Sequence, residues 1–270
     1  MRPCYERNRG YVSDTVQSRL ADTSVLVAGC GIGSAVAEPL LRLGVTKLIL
    51  LDGDHVEHHN LNRQNFVAED VGAPKVERLA RRLRAIAPVA EIVERLVFLS
   101  ADNAHEIVAG ADVIFDTIDF VDLSAIVALH DAAHAQRKPV FSAFAAGWGA
   151  AAVYFDPAYS CTVRELLELP RTGSVADVSF AERYGAFIAR LAPRLDPTIV
   201  DVVAQTIRTM AEGKACPAAA VAAGSAALGA LATTLLFQWA SGRPIVSAPE
   251  VMLLDMLGVC RPGGRITEGG

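Results

Sequence analysis

No two cysteines in this chain stand in a C-x-x-C pair, and the five present (Cys4, Cys30, Cys161, Cys216, Cys260) lie far apart. That argues against a structural zinc site and against a disulfide framework, and a reducing cytoplasm is the expected setting. Positive charge is not in excess either: 25 Lys and Arg against 30 Asp and Glu give a net charge of −5. With a pI near 5.7, nothing in the balance favours DNA, and tRNA is disfavoured on the same ground. The opening MRPCYERNRG is charged and has no apolar h-region, so no signal peptide is expected. Internal repeats are absent. At 52% hydrophobic residues the chain does not fit a disordered class.

One stretch lacks charge altogether. From Ala215 to Gly242 no acid or base occurs, which is long enough to span a bilayer. It is alanine-rich, holds Pro217 and Gly224 near its start, and has no aromatic belt at both ends. The expectation is a helix buried on all sides within a soluble α/β domain, with no membrane partner.

What is present is organised around Val25 to Gln64. Val25–Ala28 is a short apolar run, as a buried parallel strand shows. Gly29, Gly31 and Gly33 follow, permitting a tight turn and close approach to a phosphate. Ser34–Leu43 has helical spacing, and Gly44 ends it as a helix-capping glycine would. Leu48–Leu51 is the next strand and delivers Asp52 at its carboxyl end, the edge where open α/β sheets bind nucleotides. After the loop Asp52–Asp70, an amphipathic helix is expected to Ile86, then strands at Glu91–Val97, Asp112–Asp116 and Lys138–Ala143. Helices are expected at Ala101–Gly110 and Asp122–Gln136. Gly147–Phe155 reads as an antiparallel extension, and Pro244–Leu257 as a late strand.

The fold expected is α/β, a doubly wound and mostly parallel sheet of Rossmann-like type with an antiparallel C-terminal extension. A single domain over residues 1–270 is expected. It comprises an N-terminal arm (1–24), a nucleotide-binding core (25–155), a variable lid or substrate segment (156–215), and a buried helix with the final strand (216–258).

The glycine turn is weak evidence by itself. GCGIGS does not complete G-x-G-x-x-G, because Ser34 stands where the last glycine would be. With Asp52, a nicotinamide dinucleotide remains open. The following loop, D-G-D-x-V-E-x-x-N-L-N-R-Q, changes the balance. It supplies Asp54, Asn60, Arg63 and Gln64, and Lys75 opens the next helix. A dehydrogenase has no need of these groups; a triphosphate does, since Arg63 can neutralise phosphate bidentately and Asn60 can orient an oxygen. A solvated polar loop with a surface lysine is the bland alternative. At the end of the fourth strand, Asp116 and Asp119 are suited to a hard cation such as Mg²⁺, unless either simply caps the next helix.

With these residues in place the chain resembles the ThiF/MoeB/HesA adenylyltransferases, the bacterial relatives of ubiquitin-activating enzymes. The similarity runs from Tyr5 to about Tyr154, with a looser echo in the apolar helix and last strand. It implies ATP-dependent activation of a carboxylate as an acyl-adenylate. It further implies that Asp52 binds ribose, that Asn60, Arg63 and Lys75 hold the triphosphate, and that Asp119 binds Mg²⁺. The opening Y-E-R-N resembles a family motif whose arginine reaches across a homodimer, which would make Arg7 an arginine finger in trans, with Arg9 the fallback. The implied acceptor is the C-terminus of a ubiquitin-like or sulfur-carrier protein or a peptide. A small molecule, a tRNA-modified nucleoside, or an inactive nucleotide-binding scaffold are the alternatives. Four departures stand out: the altered glycine turn, Phe120 where the family has Asn, the absence of the arginine expected a few residues on, and the missing paired C-x-x-C, for which no zinc is expected. Cys216, just before the apolar helix, is a candidate thioester nucleophile.

Overall fold

The computed structural model describes residues 3–158, 161–212 and 219–259. Cys216 and the C-terminal tail lie outside the described residues.

The N-terminal arm is a 3-10 turn (Pro3–Asn8) followed by α1 (Asp14–Asp22), whose N-cap Ser13 accepts from the Val16 N–H. It is tied to the core through polar groups. Asn8 and Gln17 both donate to the Leu43 carbonyl, at 2.9 and 3.0 Å, satisfying an acceptor at the end of the second helix that has no partner within that helix. Then come β1 (Ser24–Ala28), α2 (Ser34–Leu43), β2 (Lys47–Leu51), α3 (Lys75–Ile86), β3 (Glu91–Arg95), α4 (Ala104–Ala109), β4 (Val113–Asp116), α5 (Leu123–Ala135) and β5 (Val140–Ala146). The chain closes with β6 (Gly149–Phe155), α6 (Val163–Leu166), α7 (Phe180–Leu191), α8 (Pro197–Ala211), α9 (Ala222–Ser241), β7 (Met252–Leu254) and α10 (Met256–Val259).

One seven-stranded sheet runs in the order β3-β2-β1-β4-β5-β6-β7, with β1 to β5 parallel and the last two pairings antiparallel. The sheet has the expected doubly wound order and the expected antiparallel extension. The turn Gly147–Trp148 joins β5 to β6, with Gly147 at φ +55°.

Strand alternation divides the core into two layers. Val25, Val27, Leu48, Leu50 and Phe115 face α2, α3 and α9, while Leu26, Ile49, Leu51 and Ile114 face α4, α5 and the α6–α7 segment. Phe115, Phe141 and Tyr154 stack in series across three strands, with centroids 5.2 and 4.6 Å apart.

Two expectations need correction. Helix α9 is not buried on all sides: Ala222, Ala226, Ala230 and Thr234 form an exposed line at four-residue spacing. Its other face packs by glycine. A Cβ at Gly229 would collide with the Ala35 carbonyl, which Pro39, lacking an N–H, leaves free inside α2. The late strand shrinks to Met252–Leu254, since Pro244 and Pro249 have no N–H for a ladder. The segment after β6 is built on two amphipathic helices, α7 and α8. Among the described residues, no helix is long and apolar enough to cross a membrane.

Candidate active site

The chain steps outward from β1 to β3 and then returns to β4 beside β1. The carboxyl ends of β1, β2 and β4 therefore meet at a switch point. Register fixes what stands there: Ala28 pairs with both Leu51 and Asp116, so Gly29, Asp52 and Thr117 leave the sheet at one level.

The glycine turn is held by its neighbours. Gly29 sits at φ +89°, and a Cβ would strike the Thr117 carbonyl. A side chain at Gly33 would meet the Gly29 carbonyl and the Thr117 hydroxyl, so this glycine serves helix–strand packing. Thr117 Oγ1 donates toward the Ala28 and Gly29 carbonyls, at 2.9 and 2.7 Å. Ser34, the apparent defect in the motif, is a latch. Its fully buried hydroxyl donates to the Gly31 carbonyl (2.7 Å) and accepts from the Asn65 N–H (2.9 Å), joining the turn to the end of the arginine loop.

Asp52 joins the turn to β2. Its Oδ2 accepts from the Cys30 N–H at 2.7 Å and its Oδ1 from the Asp54 N–H at 2.8 Å, leaving further lone pairs for a ligand. Burial pushes its carboxyl up, against the nearby Lys75 charge and the two N–H bonds. Lys75, buried at the start of α3, donates from Nζ to Asp54 Oδ2 at 3.0 Å. Arg63 Nη1 donates to the His59 carbonyl (2.9 Å) and Asn62 Oδ1 (3.0 Å). Burial disfavours its charge and the Asp119 carboxylate favours it, so these two groups sense each other across the site.

A cleft of about 290 Å³ opens here, lined among others by Gly31, Asp52, Arg63, Lys75, Phe98 and Asp119. Gly29, Asp54 and Gln64 border it too. Gln64 is buried, and its Oε1 has no hydrogen-bond partner, an acceptor left for a ligand's hydroxyl or amine. The structure thus gathers most of the residues read from the sequence.

Others stand apart. Asn60 lies beneath the loop, its Oδ1 accepting from the Glu57 N–H at 2.9 Å, and it does not line the cavity. Arg7 and Arg9 are exposed on the arm and do not line it either. Asp116, read with Asp119 as a cation pair, points away: its Oδ2 accepts from Ser142 Oγ at 2.8 Å and lies 3.0 Å from His130 Nε2. Asp119 is the carboxylate left at the edge, its Oδ1 3.3 Å from the Val121 N–H. Asp119, on the same cavity as Arg63 and Lys75, is an oxygen donor of the kind Mg²⁺ takes, since that ion needs few protein ligands and shares phosphate oxygens. Among the described residues no cluster of three His, Cys, Asp or Glu could hold a metal.

Sequence reading missed Thr117, Ser34 and Phe98. The Phe98 ring lies on Gly53, where a Cβ would have no room, forming an apolar wall with Val97 and Leu99. An aromatic just after a strand was the signal for it. Cys30 is buried beside Asp52, and both burial and that charge push its thiol well up, so it is inert.

Comparison with known proteins places this geometry. A model of the ThiF family matches residues 5–259. A sulfur carrier protein adenylyltransferase of Thermus thermophilus is 36% identical over 144 residues, covering 52% of this chain and 52% of that protein. A crystal structure of Escherichia coli MccB with AMPCPP and MccA superposes with TM-score 0.64 at 20% identity, over 94% of this chain and 70% of that one. The E. coli tRNA N6-threonylcarbamoyladenosine dehydratase TcdA gives TM-score 0.60 at 21% identity, over 88% and 94%. These two likenesses show the fold. The chain spans about half the length, or less, of the curated relatives it matches. The family match covers nearly every described residue, and the chain belongs to the ThiF family.

Proposed function

We propose that this chain is a Mg·ATP-dependent adenylyltransferase that activates a carboxylate. The observation that carries the reading is the convergence of Asp52, Arg63, Lys75 and Asp119 on one cavity at the switch point. The names of the relatives, sulfur carrier protein adenylyltransferases among them, support it. In the reaction, a carboxylate oxygen of the acceptor attacks the α-phosphorus of ATP. A C–O–P linkage forms, the bond to the bridging oxygen breaks, and pyrophosphate leaves with the electron pair. No base is required, because a carboxylate is ionised at neutral pH.

Residue roles follow from chemistry. Asp52 accepts from ribose hydroxyls, and the apolar wall at Phe98 faces the base. Lys75 and Arg63 offset the charge of two approaching anions and hold the phosphates in line. Mg²⁺, when bound through Asp119, would supply further charge neutralisation at the phosphates. Asn60 takes an indirect part by fixing the loop that carries Arg63. Arg7, exposed on the arm, is free to reach the site of a second copy in a homodimer. The acceptor class carried over from the relatives is a small carrier protein or a peptide.

Pyrophosphate–ATP exchange tests the proposal. The wild type should support exchange with a suitable carboxylate, and Asp119→Ala and Arg63→Ala should each lower it by roughly 10²–10³-fold. Undiminished exchange in both variants would overturn the assignment.

A further inference from the structure

A second cavity adjoins the first. It holds about 400 Å³, between the β5–β6 hairpin and the α7–α8 pair, and its walls include Phe144, Phe155, Phe187, Ile199 and Val203. The two cavities share Ile118, Phe120 and the stretch Ala143, Phe144, Ala145, so the loop bearing Asp119 is the partition between them. Phe120 and Tyr184 meet edge to face at 5.5 Å on that partition, as do Phe144 and Phe187 at 6.4 Å. Polar groups are few, and the acidic one is spoken for: Asp116 is engaged by Ser142 and His130.

We infer that this apolar cavity receives the nonpolar body of the carboxylate being adenylated, so that the acceptor carries a bulky apolar group next to its carboxylate. The inference rests on the adenylation reading and sharpens its substrate. Orientation follows from charge. No Lys or Arg stands among the described residues lining the apolar cavity, whereas Arg63 and Lys75 line the nucleotide cavity, so the carboxylate stays at the partition and the hydrocarbon turns inward. Size points the same way. About 400 Å³ falls within the range of whole small-molecule sites, and an unbranched diglycine tail would leave it empty. An apolar group that fills it is driven from water and gains contact with the aromatic walls. The shared chemistry is a hydrophobic carboxylate, whether a free acid or a peptide ending in a large aliphatic or aromatic residue.

The test is pyrophosphate–ATP exchange driven in turn by acetate, octanoate, 3-phenylpropionate, the peptide Ala-Ala-Ala-Leu and the peptide Ala-Ala-Gly-Gly. ATP binding is followed separately by calorimetry. Each methylene in a fitted pocket is worth roughly tenfold. Octanoate or 3-phenylpropionate should therefore exceed acetate in kcat/KM at least a hundredfold if the source is a free acid. If it is a peptide, the Leu-ended peptide should exceed the Gly-Gly one by a similar factor. Val203→Trp, which fills the cavity, should raise KM for the apolar acceptor at least tenfold with ATP affinity unchanged. Val203→Ala, which enlarges it, should shift preference from octanoate towards decanoate, a change no folding defect produces. Exchange equal or better with acetate or the Gly-Gly peptide would overturn the inference and leave adenylation standing. ATP binding without exchange for any of the five overturns it too. Failure to bind ATP at all is the separate failure of the adenylation reading.

Discussion

Glu38 shows how a charge inside α2 is made tolerable. Burial by itself would push its carboxyl up; hydrogen bonds from Arg82 (2.6 Å) and Arg42 (2.9 Å) outweigh that and leave it lowered. A third partner, Asn65 Nδ2 at 3.2 Å, brings the end of the arginine loop against the same carboxylate. Because the folded value is depressed, the stabilisation is complete above the unfolded value near 4.3 and is lost as pH falls through the folded one. Glu38→Gln should lower stability at pH 7 by ~2 kcal/mol and flatten its decline between about pH 5 and 3, read from urea midpoints. Residues of this kind explain what the sequence hid. Asp52, Arg63 and Lys75 were legible because strand ends and a motif placed them. Ser34 looked like a lost glycine, since its role depends on a hydrogen bond to Asn65, 31 positions away. Asp116 was misread as a cation ligand for the same reason: its partners, His130 and Ser142, come from α5 and β5.

Elements were legible where local pattern decides. β1, β2 and β4 are mostly apolar runs buried on both faces, and α2, α3 and α5 carry helical periodicity, so their positions followed directly, whereas β3 at the sheet edge buries only Ile92. The segment after β6 was not, because its order comes from apolar packing of Val163, Leu167 and Phe187 together with one buried charged side chain whose carboxylate partner is distant in sequence. Arg164 forks onto Asp131 of α5, with contacts of 2.7–3.0 Å, and also donates to the Pro170 and Gly173 carbonyls. That fixes the chain leading into α7 against the core. Arg164→Ala should cost roughly 2–3 kcal/mol locally, less than a fully buried pair because Asp131 remains half exposed. The expected signature is faster proteolytic cleavage between α6 and α7 and a higher KM for the acceptor, with ATP affinity unchanged.

On the whole molecule, the exposed line Ala222, Ala226, Ala230 and Thr234 on α9 and the open groove bordered by Asn8, Arg42, Asn62 and Arg63 lie on one side. A homodimer through that side would cover small residues that a monomer leaves in water, and would set the arm of one copy near the other's Arg63 loop. If Arg7 acts in trans, Arg7→Ala and Asp119→Ala should each be inactive alone and regain exchange activity when co-refolded, because the mixed dimer holds one intact site. No recovery in a mixture shown to exchange subunits would exclude a role in trans for Arg7.

The central claim is that the switch-point cavity takes a triphosphate. Calorimetric titration of the wild type with ATP and Mg²⁺, against NADH in parallel, tests this most directly. Saturable ATP binding, weakened at least tenfold by Lys75→Ala, with no measurable heat from NADH, is the predicted result. Binding of NADH in place of ATP would contradict it.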